Sequence, residues 1–200
     1  MADVKWSSGE ESDGRRDPRA SEEKDQRAKT LQELEEVLHS APRSCRHGDE
    51  VWPNLYLGDM FMSHDKLGLS QLGITHVLNA AHGKLCCKGS DDFYGTTVKY
   101  YGVPANDLPT FDLSPFFYPA AEFIHRALSS AGKVLVHCAV GVSRSAALVL
   151  SYLMIHQHLS LLSSIRLVQQ KRWICPNRGF LRQLIVLDQE LQNKGFDETN

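Results

Sequence analysis

Long uncharged apolar runs are scarce in this 200-residue chain. The one stretch of spanning length, the 21 residues between Arg144 and Arg166, holds five serines and His156-Gln157-His158 near its middle. Such groups are expensive in hydrocarbon, so a buried core helix followed by a turn is the better reading, and no membrane partner is expected. No apolar segment follows Met1, and nothing suggests secretion. Charge of one sign is lacking too: 22 Lys+Arg against 24 Asp+Glu leave a formal −2. That balance offers no general attraction to nucleic acid. Five cysteines (Cys45, Cys86, Cys87, Cys138 and Cys175) are an odd number without framework spacing. They read as thiols in a reducing compartment, the cytoplasm first and the nucleus second. CxxC, HExxH, GxSxG and the nucleotide loops GxxxxGK[ST] and GxGxxG are absent, and no two of the nine histidines stand at i,i+3 or i,i+4. Neither a metal nor another cofactor is expected.

What is there is an ordinary core behind an unusual start. Hydrophobic residues make up 42% and charged residues 23%, enough for one domain. Residues 1–30 carry 15 charged residues, seven basic and eight acidic, with no apolar period. Such a segment buries too little surface to offset its ordering entropy. Residues 1–29 therefore read as a disordered tail, 30–194 as the domain and 195–200 as a second, short tail.

Within the domain, Leu31, Leu34 and Leu38 form one stripe of a helix over 28–39, most simply docked on the domain. An interrupted strand over 51–57 ends at Gly58, and a helix over 59–72 is stopped by Gly73. Residues 74–79 and 97–103 read as strands around a long loop at 83–95. Asp112 is placed as the N-cap of a helix over 113–130. Residues 133–137 make a short apolar strand, and 143–158 a helix apolar almost all round. Ser160 and Asn177 open two more helices, to about 172 and 192. Strands alternating with helices predict an α/β fold, with a central, mostly parallel, mixed sheet of about five strands flanked by helices. Ligands in such sheets bind at the C-terminal ends of strands.

That position is occupied by His137-Cys138-Ala139-Val140-Gly141-Val142-Ser143-Arg144-Ser145. Five residues between Cys138 and Arg144 can curl around one tetrahedral oxyanion, with successive N–H groups turned inward and a helix N-terminus behind them. Gly141 supplies the freedom for the curl. A cysteine on the floor of this nest feels the same field, which lowers thiol pKa values from ~8.5 to roughly 3.5–7.5. Cys138 is then a thiolate nucleophile. Arg144 offers a planar fork to two phosphate oxygens. Ser145 can hydrogen-bond the sulfur and make it a better leaving group.

H-C-x-x-G-x-x-R-S resembles the signature of the cysteine-based protein phosphatases. The chain is similar in particular to the atypical dual-specificity enzymes of the muscle and testis type. The stretches 50–59 (EVWPNLYLGD), 72–81 (LGITHVLNAA) and 176–181 (PNRGFL) carry the likeness, which covers roughly 30–194. Ala146 stands where that family often has Thr, and Ser151 where it often has Ala.

The resemblance implies a metal-free reaction through a cysteinyl-phosphate, with a loop aspartate as general acid. Asp107, in Ala105-Asn106-Asp107, matches that acid; Asp112 is the rival. It further implies that residues 139–144 bind phosphate, that His137 orients the loop and tunes the thiolate, and that Asn177 braces the loop. Implied substrates are phosphotyrosine and phosphoserine/phosphothreonine in proteins, with signalling kinases as candidate partners. Ala139, Val140, Val142 and Ser143 are not basic, which argues against a phosphoinositide or RNA-end phosphatase on the same fold. A binding or scaffolding role is the third alternative. Cys86 or Cys87 as a resolving thiol for Cys138 is the less favoured reading of that pair.

Overall fold

The computed structural model describes residues 18–43, 46–85, 87 and 89–197. Cys45, Cys86 and most of the expected N-terminal tail lie outside them.

Five short strands form one sheet in the order β1-β2-β5-β3-β4. They are β1 Gly48–Trp52, β2 Leu55–Gly58, β3 His76–Asn79, β4 Lys99–Gly102 and β5 Val134–His137. Among the described residues, only the β1–β2 pair is antiparallel. The mostly parallel, mixed α/β sheet inferred from the alternation of elements is therefore the one observed. β5 lies in the middle and is buried along its whole length. Its C-terminal end, between Gly58 of β2 and Asn79 of β3, carries His137 and then Cys138.

Helices cover both faces: α1 Pro18–Ser40, α2 Met60–His64, α3 Lys66–Leu72, α4 Asp91–Tyr94, α5 Phe117–Ser129, α6 Arg144–Gln157, α7 Leu161–Gln169 and α8 Arg178–Asp197. α6 follows the Cys138 turn and is buried from Ser145 to Met154. Its low polarity all round is explained by its neighbours: α5, α7, α8 and the sheet enclose it. Leu31, Leu34 and Leu38 are each under 5% exposed and dock α1 into the same core.

The loop expected over 83–95 holds the short helix α4, and α8 runs past 192, so that the tail expected at 195–200 is helical as far as Asp197; four further differences have local causes. The interrupted strand over 51–57 is a hairpin. Pro53 and a left-handed Asn54 (φ 62°) make its two-residue turn, and the Asn54 N–H is held by Glu50 at 2.8 Å. The helix over 59–72 is two helices, because both aspartates cap: Asp59 accepts from Met62 N–H and Asp65 from Gly68 N–H. The helix over 113–130 begins as a 3-10 turn, Ser114–Phe116, before α5. Asp112 holds that turn through the Ser114 N–H and hydroxyl, beside Gln183. Last, α1 starts well before Ala28. Once residues 31–38 are anchored, adding turns of Ala, Glu, Lys, Arg and Gln needs no new nucleus. The charged stretch from 22 to 29 is thus an exposed segment of helix.

No helix of the described residues is long and apolar enough to cross a membrane.

Candidate active site

The turn from β5 into α6 is built by what holds its carbonyls. Ala139 C=O accepts from Met60 N–H at 3.2 Å, and Val142 C=O from Cys175 N–H at 2.9 Å. Between them, Arg172 donates Nη2 to Val140 C=O at 3.0 Å and Nε to Gly141 C=O at 2.9 Å. Four consecutive carbonyls are therefore tied outward. In a planar trans peptide the following N–H points the opposite way, so the N–H groups of Val140, Gly141, Val142 and Ser143 turn inward. This is the anion nest inferred from the motif. Gly141 has φ 72°, and a Cβ there would run into the Gly58 carbonyl and the Arg172 guanidinium. Only glycine fits.

Cys138 lies on the floor of the nest, 2% exposed. Its Sγ accepts from Ser145 Oγ at 3.1 Å and from Gly141 N–H at 3.3 Å. Burial alone would push the thiol up; the Ser145 hydroxyl and N–H, the Arg144 charge and the Gly141 N–H together outweigh it and hold it below its ordinary value. The Arg144 side chain is steered by Nη1 donating to Ala105 C=O at 3.2 Å. Its Nε is buried and has no protein partner among the described residues, a donor suited to an oxyanion.

Asp107 reaches the same loop from 31 residues upstream of Cys138. Its Oδ1 accepts from Ser143 Oγ at 2.7 Å and from Asn177 Nδ2 at 2.9 Å. Asn177 also donates its N–H to Ser143 Oγ at 3.0 Å and caps α8 by accepting from Phe180 N–H at 3.0 Å. One residue thus links the Asp107 loop, the signature loop and the last helix. Gly179 packs so tightly on Pro109 that a side chain there would strike the Pro109 backbone. Asp112 instead faces the start of α5 through Ser114, away from Ser143.

His137 is fully buried. Its Nδ1 lies 3.4 Å from the Cys138 carbonyl, which can only accept, so the proton sits on Nδ1. Burial pushes its pKa down to about 4, and the ring is neutral at pH 7. It contacts the backbone of Cys138, while the sulfur's own partners are Gly141 and Ser145.

Two residues of the site carry no signal in the sequence. Arg172 is 4% and Asp49 8% exposed. They pair at 3.0 Å, and Arg172 Nη1 also donates to Arg46 C=O at 2.8 Å. Every nitrogen of this buried guanidinium thus has an acceptor, two of them in the signature loop. In the sequence, Arg172 falls at the end of the helix opened by Ser160, and Asp49 lies just before the strand expected over 51–57. Among the described residues, no three His, Cys, Asp or Glu are grouped to hold a metal.

A family model for the dual specificity phosphatase catalytic domain matches residues 55–190. Human dual specificity protein phosphatase 26 is 55% identical over 162 residues, covering 80% of this chain and 76% of that protein. Human dual specificity protein phosphatase 13B is 54% identical over 164 residues, 81% of this chain and 82% of that one. The crystal structure of human DUSP28 superposes with a TM-score of 0.67 at 29% identity, over 76% of this chain and 99% of that chain. A catalytic-domain match running from β2 into α8, with relatives sharing over half their residues across four fifths of the chain, means that this chain belongs to the dual specificity phosphatases, the cysteine-dependent protein phosphatases.

Proposed function

We propose that the chain hydrolyses phosphotyrosine and phosphoserine/phosphothreonine in proteins with Cys138 as nucleophile and Asp107 as general acid. The nest N–H groups of residues 139–143 and the Arg144 guanidinium hold the three non-bridging phosphate oxygens. The Cys138 thiolate attacks phosphorus, the P–O bond to the side chain breaks, and Asp107 protonates the departing oxygen. Asp107 Oδ1 already accepts two hydrogen bonds, so Oδ2 carries the transferred proton. Water then attacks the cysteinyl-phosphate. Asp107 takes its proton, and Ser145 Oγ stabilises the leaving thiolate. Thiolate, fork and acid supply what the reaction needs, and no cofactor is invoked. His137 and Asn177 are positioning residues, joined by Arg172.

One observation supports this reading above the rest: a carboxylate hydrogen-bonded to a hydroxyl of the same loop whose N–H groups surround a buried, acidified sulfur. The exposed loop residue Val140 and the neutral Ala139 and Val142 favour a singly phosphorylated side chain over a phosphoinositide or an RNA end. We take signalling kinases as candidate partners, and the cytoplasm, with the nucleus, as the place of action. We assign residues 30–194 as the catalytic unit. The test is a side-by-side assay on phosphotyrosyl and phosphothreonyl peptides, a phosphoinositide and a 5′-phosphorylated RNA. Turnover of both peptides, well ahead of the other two, is expected. A clear preference for lipid or RNA would overturn the assignment.

A further inference from the structure

A cavity of about 520 Å³ lies between α1 and α8. Leu31, Ile185 and Val186 give it an apolar floor, and Lys24, Arg27, Arg178 and Arg182 line its walls. Only Glu23 among the lining residues is acidic, with Glu35 paired to Arg178 at 3.0 Å. This local excess of cations stands out in a chain whose formal charge is −2. The lining positions recur on one face of each helix, so the groove runs along the helices. Its upper end is fixed relative to the chemistry: Arg178 follows Asn177, whose Nδ2 bonds Asp107.

We propose that this groove binds an acidic segment of the phosphoprotein substrate, next to the phosphorylated residue. Resting on the active-site reading above, it names a substrate class for that site. From Arg178 to Val186 the helix rises about 12 Å, which about four residues of extended chain cover at ~3.3 Å each. Acidic side chains along that segment meet Arg182 there and, farther down, Arg27, whose Nε donates to Gln189 Oε1 at 3.1 Å, and Lys24. Those three cations are at the surface, where partly screened pairs contribute through on-rate and specificity more than raw affinity. A concave slot with an apolar floor suits a peptide better than a flat anionic bilayer.

The test compares phosphotyrosyl peptides that bear four glutamates on one side of the phosphotyrosine, four on the other, or glutamines in their place. At low ionic strength the full chain should show a kcat/KM about tenfold higher for at least one acidic peptide, and salt should reduce the difference. In an Arg27→Glu/Arg182→Glu double variant, that preference should vanish while kcat/KM for the glutamine peptide stays within twofold. Arg27→Gln/Arg182→Gln provides the same comparison should charge reversal impair folding. Equal rates on all three peptides, or a preference that survives both double variants, would overturn the proposal. So would binding to phosphatidylserine vesicles that these variants abolish while peptide preference is unaffected. Failure to hydrolyse any peptide defeats the phosphatase reading itself, which separates the two failures.

Discussion

Replacing Arg172 by Lys tests whether the signature loop is held in shape from behind. Arg172 makes four hydrogen bonds, two of them to the carbonyls of Val140 and Gly141. Lysine keeps the charge next to Asp49 but has one nitrogen, which cannot reach both loop carbonyls and Asp49 together. Bonds to a charged group contribute about 1.5–3 kcal/mol each. Losing the two loop bonds should therefore cost roughly 3 kcal/mol of stability, read as a lower urea midpoint at unchanged slope. The catalytic cost is separate. Freed carbonyls let the Gly141 and Val142 N–H groups turn away, and one oxyanion donor is typically worth 10²–10³ in kcat. A fall of at least ~10² in kcat/KM on an aryl phosphate is expected. Because Gly141 N–H also bonds the sulfur, the pH midpoint for alkylation of Cys138 should rise. A variant that loses the stability but keeps its rate within twofold and its alkylation midpoint would refute the argument, leaving Arg172 a core ion pair and nothing more.

A general acid matters most for poor leaving groups. Asp107→Ala should slow phosphopeptide hydrolysis by ~10²–10⁴ and slow a fluorinated aryl phosphate far less. Asp112→Ala should show none of these effects, only about 1 kcal/mol of lost stability from its hydrogen bonds to the Ser114 N–H and hydroxyl, since Leu113 and not Asp112 stands at the N-cap of that turn; the reverse pattern means that the wrong aspartate has been assigned. His137 is neutral in the fold with a pKa pushed to about 4, whereas an unfolded histidine takes its proton near 6.5. The unfolded chain thus binds more protons between those values. Its contribution is intact above about pH 6.5, falls as pH drops towards about 4 and levels off below, up to ~3 kcal/mol in all. Urea melts across that window should show the loss, a His137→Asn variant should lack it, and identical slopes in the two proteins would contradict it.

Local signals carried the strand and helix order, the signature loop and the caps at Ser160 and Asn177, because each rests on residues a few positions apart. The sheet class followed from the alternation of elements. Where neighbours compete, the local reading slipped: Asp65 could end one helix or begin another, and does both. The charged residues 22–29 looked unable to fold by themselves, and their helicity comes from the leucine anchor that follows. Long-range partnerships had no sequence trace. Asp49 and Arg172 are 123 positions apart, and neither has a local reason to be buried. The same holds for the Ser143 hydroxyl, which the motif counts as a loop position and the structure places on Asp107.

Turnover on the proposed mechanism passes phosphate through Cys138. Ser145→Ala removes the hydroxyl that donates to Cys138 Sγ, so on the proposed mechanism the second step should become slow and the intermediate should accumulate. Rapid acid quench of this variant with excess aryl phosphate, followed by peptide mass spectrometry, should find phosphate on Cys138 in near-stoichiometric amount, together with a burst of released phenol. A linear time course with Cys138 unmodified, or phosphate on any other residue, would contradict the central claim.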